Sequence, residues 1–199
     1  MRCVVFLSIT LLFSGSGQLK VLRQGARPAT YTYFLLDYSG STTFAQRDRM
    51  INYFLMCVRR FSDFGQIKVI VFDDTMEKYS TDWVPLPNPR EVRKIVNWLK
   101  LTKLEGSTDI AGAVVEALKE PIKKAFTIFL ITDGEHNVKS LHQRISAQQK
   151  KRDFPVPIIL LGIDLADSKK STRTDMLKIS KDYGGMLLVD KDPPPQKTP

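Results

Sequence analysis

The chain has 199 residues, enough for one α/β domain with a sizeable buried core, and its length does not require a second domain. Its formal net charge of +9 favours acidic partners such as carboxylate-bearing proteins, nucleic acid or anionic membrane surfaces. The basic residues are spread over predicted helices and do not form one block interleaved with aromatic residues, so a dedicated nucleic-acid surface is not favoured.

Residues 1–17 have the pattern of a secretory signal peptide. One arginine is followed by an apolar stretch over residues 3–13 and by the small residues 14–17. The apolar stretch is too short to span a bilayer, so no membrane span is expected in the mature chain. A buried N-terminal strand or an uncleaved membrane-proximal segment is the alternative. The signal peptide predicts a secreted, periplasmic or extracellular protein, whereas a retained segment predicts a cytoplasmic one. Residues 18–28 are interpreted as a linker.

From residue 29 to residue 190, apolar strand-like runs alternate with amphipathic helical patterns, which is typical of an α/β sheet protein. The runs are short and continuous, as in central strands covered on both faces. Strands are predicted over residues 31–37, 67–72, 126–132, 157–163 and 186–189, and an antiparallel edge strand over residues 76–80.

Helical periodicity predicts five helices between these strands. The first has an apolar stripe that begins at Phe44, and Cys57 falls in its core pattern. The others are predicted over residues 92–99, 110–118, 141–151 and 173–183, the last ending at Gly184 and Gly185. Residues 191–199 are proline-rich and are predicted to be a disordered tail.

Oxygen-bearing side chains follow the first strand. Asp37, Ser39 and Ser41 alternate along a glycine-containing turn, which lets their oxygens converge. Carboxylate and hydroxyl oxygens are ligands that Mg²⁺ accepts together with retained waters. Asp133 follows the predicted strand over residues 126–132, and Thr108 precedes the third helix.

A doubly wound sheet with strand order 3-2-1-4-5-6 would bring these segments together. Asp37 and Asp133 would then end neighbouring strands at the point where the order reverses, which is where open α/β sheets bind ligands. Two close carboxylates repel each other, and a divalent cation between them relieves the repulsion. Taken singly, each segment also fits a turn or a helix cap; their joint occurrence in this order favours a metal site.

These three loops resemble those of the von Willebrand factor A domain and its metal-ion-dependent adhesion site. The resemblance covers about residues 29–190 and implies a Rossmann-like, mostly parallel six-stranded sheet between helices. By resemblance, Ser39, Ser41 and Thr108 would supply hydroxyl ligands, and Asp37 and Asp133 would act directly or through water. Tyr38 stands where the family often has a small or acidic residue, and we expect it to project near the mouth of the site.

The resemblance implies a non-enzymatic module that binds Mg²⁺ or Mn²⁺, with Ca²⁺ as a third candidate, and bridges the cation to an exposed acidic residue of a protein ligand. An intracellular scaffold or a nucleic-acid-associated domain is the alternative. A hydrolase is less favoured, because Gly-x-Ser-x-Gly is absent and only His136 and His142 could act as an imidazole base.

Overall fold

The computed structural model describes residues 10–14, 18–22, 31–60, 65–80, 82–86, 88–120, 126–133, 138–152, 155–163, 170–185 and 187–189. The chain divides into two compact units, one formed by residues 1–28 and 192–199 and one by residues 29–191. In the first unit, β1 (Thr10–Ser14) pairs antiparallel with β2 (Gln18–Leu22). The signal peptide, the linker and the disordered tail stay predictions, and the tail lies outside the described residues.

The larger unit contains one mixed sheet whose strand order is β5-β4-β3-β7-β8-β9. Its strands are β3 (Tyr31–Asp37), β4 (Gln66–Phe72), β5 (Met76–Lys78), β6 (Val84–Pro85), β7 (Phe126–Thr132), β8 (Ile158–Gly162) and β9 (Leu187–Val189). Strands β4, β3, β7, β8 and β9 are parallel, and β5 pairs antiparallel with the end of β4. The predicted doubly wound α/β fold is confirmed, and the observed order agrees with the predicted one except for β6, which lies off this path and pairs with β4.

The prediction of six strands was wrong by one. The two-residue strand β6 pairs antiparallel with the start of β4, placing Val84 opposite Ile67. Two residues are too few to leave a periodic pattern in a sequence.

Five helices are described: α1 (Phe44–Arg60), α2 (Pro89–Leu101), α3 (Ile110–Leu118), α4 (Val138–Gln149) and α5 (Lys170–Asp182). A capping box starts α1, because the Thr43 hydroxyl accepts from the Gln46 backbone N–H and the Gln46 side chain accepts from the Thr43 N–H. The predicted end of α5 is confirmed: Gly184 adopts φ 65°, and the Gly185 N–H donates to the Ser180 carbonyl.

Helices cover both faces of the sheet because the central strands are apolar on both. In β3, Phe34 packs edge-to-face on Phe54 of α1, with their ring centroids 5.0 Å apart. The next residue, Leu35, belongs to a buried cluster with residues of α3, α4 and α5. Adjacent side chains of a strand point to opposite faces, so β3 is enclosed between two helical layers.

The predicted apolar stripe of α1 is correct in its middle and wrong at its start. Ile51, Phe54 and Val58 are buried, whereas the Phe44 side chain is 70% exposed and lies under the Arg47 guanidinium. Phe44 is the first residue of the helix, and its side chain is not covered by the sheet. Cys57 is buried, and burial raises the pKa of its thiol to about 12, as expected of a core cysteine.

Among the described residues, no helix has the length and apolar composition needed to cross a bilayer.

Candidate metal centre

Among the predicted metal ligands, the Asp37 carboxylate is held in place by hydrogen bonds to both of its oxygens. Asp37 ends β3 and its side chain is fully buried. The Ser39 backbone N–H donates to Asp37 Oδ1 at 3.1 Å, and the Thr132 hydroxyl donates to Oδ2 at 2.6 Å. Both carboxylate oxygens are therefore oriented by protein groups, one from the Asp37 loop and one from the neighbouring strand β7.

The other acidic residue, Asp133, is joined to the loop by a chain of hydroxyls. Ser39 Oγ lies 3.1 Å from Ser41 Oγ, and Ser41 Oγ donates to Asp133 Oδ2 at 3.0 Å. Adjacent ligands of an octahedral Mg²⁺ with bonds of 2.1 Å lie about 3.0 Å apart. Each of these two hydrogen-bonded distances is therefore also the distance between neighbouring ligands of one cation.

Thr108 comes from a third loop that is tied to the first by its backbone. Two residues before it, the Gly106 carbonyl accepts from the Gly40 N–H at 3.0 Å; directly after it, the Asp109 N–H donates to the Asp73 carbonyl at 2.8 Å. Thr108 is half-buried between these attachments. Among the described residues, hydrogen bonds link the other four predicted ligands, while Thr108 is placed at the same sheet edge without a direct hydrogen bond to them.

Without a cation, ionisation of Asp37 beside Asp133 is unfavourable. The pKa of Asp37 is raised from its ordinary value of 3.8 to about 6, chiefly by burial; hydrogen bonds from Thr132 and Ser39 lower it, and the nearby Asp133 carboxylate raises it. A divalent cation would favour the ionised form and offset the repulsion.

The donor set fits a hard cation. Within the described part of the chain, no group of three or more His, Cys, Asp or Glu side chains is arranged to hold a metal. The predicted set is of a different kind, two carboxylates and three hydroxyls, which suits Mg²⁺ or Mn²⁺ with retained waters and does not suit a soft metal.

Two supporting residues were not identified from the sequence. Thr132 orients Asp37, because the parallel register that pairs Leu36 with Ile131 places Thr132 beside Asp37. Arg144 of α4 binds both carboxylate oxygens of Asp109, at 2.7 and 3.3 Å, and Asp109 caps α3 by accepting from the Gly112 N–H. Arg144 of α4 therefore helps to hold Asp109 and the neighbouring Thr108 in place at the start of α3.

The expectation for Tyr38 was wrong. Its side chain is 1% exposed and its hydroxyl donates to the Leu99 carbonyl at 2.9 Å, which ties the first loop to the end of α2. The backbone turn after β3 directs this side chain into the protein, where burial of the aromatic ring is more favourable than its exposure to water. Glu135 and His136, which follow Asp133, lie outside the described residues.

Comparison with known proteins agrees with this architecture. The von Willebrand factor type A domain family matches residues 32–187, well over half of the chain. No curated protein matches the sequence at a significant level.

Several solved structures share the fold at low sequence identity. Von Willebrand factor type A from Catenulispora acidiphila has a TM-score of 0.64 and 13% identity, over 87% of this chain and 40% of that one. The hypothetical protein BatB from Bacteroides thetaiotaomicron has a TM-score of 0.59 and 16% identity, over 82% of this chain and 91% of that one. The manganese-loaded Plasmodium vivax TRAP protein has a TM-score of 0.52 and 18% identity, over 67% of this chain and 58% of that one.

At these identities the structural likeness is one of fold alone. The sequence match over residues 32–187 carries the assignment, and the strand order agrees with it. The chain belongs to the von Willebrand factor type A domain family.

Proposed function

We propose that this chain is a non-enzymatic binding module in which Mg²⁺ or Mn²⁺, held at the Asp37 loop, bridges to an acidic side chain of a protein ligand. The ligands would be Asp37, Ser39, Ser41, Thr108 and Asp133, some of them acting through water. Family membership supports a role in protein interaction, since these domains often bind protein ligands and a divalent metal.

The observation that carries the proposal is the spacing of the Ser39, Ser41 and Asp133 oxygens. The steps of 3.1 and 3.0 Å are hydrogen bonds whose lengths also match the edge of an Mg²⁺ octahedron, so a cation would replace these bonds with small shifts of the side chains. The three hydroxyl ligands donate less charge to the cation than carboxylates would, which favours one further anionic ligand from outside.

Charge and accessibility support an acidic partner. The net charge of +9 attracts anionic surfaces at long range and speeds association at low salt. Ser41 is exposed, so the cation would be approached from its side of the loop.

His142, which the hydrolase alternative would use, shares a hydrogen bond with Asp182 at 2.8 Å. Secretion remains part of the proposal and rests on the pattern of residues 1–17.

The proposal predicts that a carboxylate coordinates protein-bound Mn²⁺. We expect N-acetyl-glutamate N-methylamide to show faster proton relaxation with Mn²⁺ and the protein than with the same Mn²⁺ alone, because a bound and slowly tumbling paramagnetic ion broadens the lines of its ligand. The matched glutamine amide should show no such enhancement. Nuclear magnetic resonance line widths measure both.

Ser41→Ala serves as the control variant, because it removes one hydroxyl from an exposed position. The enhancement should fall sharply in this variant. Equal broadening of the glutamate and glutamine probes, or an unchanged effect in Ser41→Ala, would contradict coordination of a partner's carboxylate at this site.

A further inference from the structure

A cavity of about 340 Å³ opens beside the loops of the proposed cation site, between the end of β4 and the end of α2. We call it the α2 groove and define it by Tyr38, Asp73, Glu77, Trp98, Leu101 and Glu105, which all line it. None of the five predicted metal ligands lines it, so it is a separate feature of the same sheet edge.

The α2 groove adjoins the proposed cation site directly. Phe72, which also lines it, is paired in register with Asp37 on the neighbouring strand, and paired strands lie about 4.8 Å apart. The Glu105 N–H donates to the Tyr38 carbonyl at 3.0 Å, one residue before Ser39. The groove therefore lies next to the proposed cation site, where one partner would be able to contact both.

One wall of the groove is apolar and exposed. Leu101, the last residue of α2, is 83% exposed although it is a large aliphatic side chain. The Trp98 ring stands on the same helix and is held by its indole N–H, which donates to Glu77 Oε1 at 3.1 Å. Together they offer an aliphatic surface and a fixed aromatic face.

The charge of the groove is opposite to that of the chain. Asp73, Glu77 and Glu105 line it against a single basic residue, Lys103, although the whole chain carries a net charge of +9. Asp73 is fixed, because its Oδ1 accepts from both the N–H and the hydroxyl of Thr75. A local excess of negative charge beside an apolar wall selects a ligand that is both aliphatic and cationic.

We propose that the α2 groove receives an arginine or lysine side chain of the protein partner while an acidic residue of the same partner reaches the cation. The stem of the basic side chain would pack on Leu101 and Trp98, and its head would meet the Glu77 and Glu105 carboxylates. The paired arrangement rests on the proposed function, but the groove's preference for a basic side chain can be tested without any metal.

The test uses the full chain in EDTA and the indole N–H resonance of Trp98. N-acetyl-arginine N-methylamide is expected to give a saturable shift of this resonance, whereas the norleucine and glutamate analogues give none. Trp83 is the other tryptophan and packs on Tyr31 and Tyr33, outside the residues that line the groove, so its resonance should stay in place. The variant Trp83→Phe assigns the two signals.

Variants then separate local charge from overall charge. The double variant Glu77→Gln and Glu105→Gln should weaken arginine amide binding by about fivefold to tenfold, because two partly exposed charge pairs are lost. Glutamine at position 77 keeps an oxygen for the Trp98 indole. The matched double variant Asp48→Asn and Asp82→Asn removes the same charge from exposed residues that do not line the groove, and should bind as the wild type does.

Three results would overturn the proposal: no shift with the arginine probe, an equal shift with norleucine, or unchanged affinity in the glutamine variant. None of them bears on the cation site, because no metal is present. Conversely, failure of the Mn²⁺ relaxation experiment would leave this result intact, so the two proposals fail separately.

Discussion

Replacing Asp37 by asparagine is expected to stabilise the cation-free protein at about pH 7.5 by about 3 kcal/mol. The reason is that the buried carboxyl has a pKa of about 6 in the folded chain against an ordinary 3.8, so ionising it costs folding free energy. Asparagine carries no charge, keeps an oxygen for the Ser39 N–H and can donate to the Thr132 hydroxyl.

The sign of the pH dependence follows from the same shift. Between about pH 4 and pH 6 the folded state binds the Asp37 proton and the unfolded state does not, so the free energy of unfolding of the wild type falls as pH rises through this window. The advantage of Asp37→Asn should therefore shrink to about 1 kcal/mol at about pH 4.5. Urea unfolding in EDTA at the two pH values measures the difference between the proteins.

Added Mg²⁺ should cancel most of this advantage at about pH 7.5. A cation bound only by the folded wild type stabilises it by about 2.7 kcal/mol at a hundredfold excess over Kd, whereas the variant, lacking the carboxylate, should gain little. Asp48→Asn, a neutralised exposed residue of α1, is the matched control and should behave as the wild type in both conditions. A destabilised cation-free Asp37→Asn, or an undiminished Mg²⁺ response in it, would contradict this account.

Replacing Gly106 by alanine is expected to lower both the stability and the cation affinity, whereas Gly184→Ala should lower the stability alone. Both glycines have left-handed backbones, with φ 75° and 65°, and a side chain in that region costs about 1–2 kcal/mol. A Cβ at Gly184 meets nothing within 4 Å, while a Cβ at Gly106 would lie 2.5 Å from Asp74 Oδ1 and 3.1 Å from the Asp73 Cγ.

The contact at Gly106 links this strain to the proposed site. The Gly106 carbonyl holds the Gly40 N–H, so displacing it shifts the Thr108 loop relative to Ser39 and Ser41. Losing a group that orients ligands typically weakens metal binding by about tenfold or more. Urea unfolding and a Mn²⁺ titration of both variants measure the two effects. Equal Mn²⁺ affinities in the two variants would show that this loop does not position a ligand.

The sequence was sufficient to predict the sheet because its strands are short apolar runs with clear ends. Residues 31–37 and 126–132 were predicted with the observed bounds, and the reversal rule placed Asp37 and Asp133 at the ends of adjacent strands. Strand β6 was missed because two residues carry no periodic signal.

Side-chain direction and long-range pairing were less predictable. Apolar spacing alone does not say where a helix begins to pack, which is why Phe44 was placed in the core, and the turn after β3 sends Tyr38 inward to Leu99. The contact between Arg144 and Asp109 joins residues 35 positions apart and depends on how α4 packs beside α3. Such contacts follow from tertiary geometry and leave no local sequence pattern.

Counting bound Mn²⁺ by electron paramagnetic resonance is the most direct test of the cation site, because free Mn²⁺ gives a strong signal that is lost on binding. For the full chain we predict one Mn²⁺ per molecule, displaced by excess Mg²⁺, and strongly weakened binding in Asp133→Ala, which removes the carboxylate that accepts from Ser41. No loss of free Mn²⁺ signal with the wild type, or an equal loss with Asp133→Ala, would contradict a cation held by these three loops.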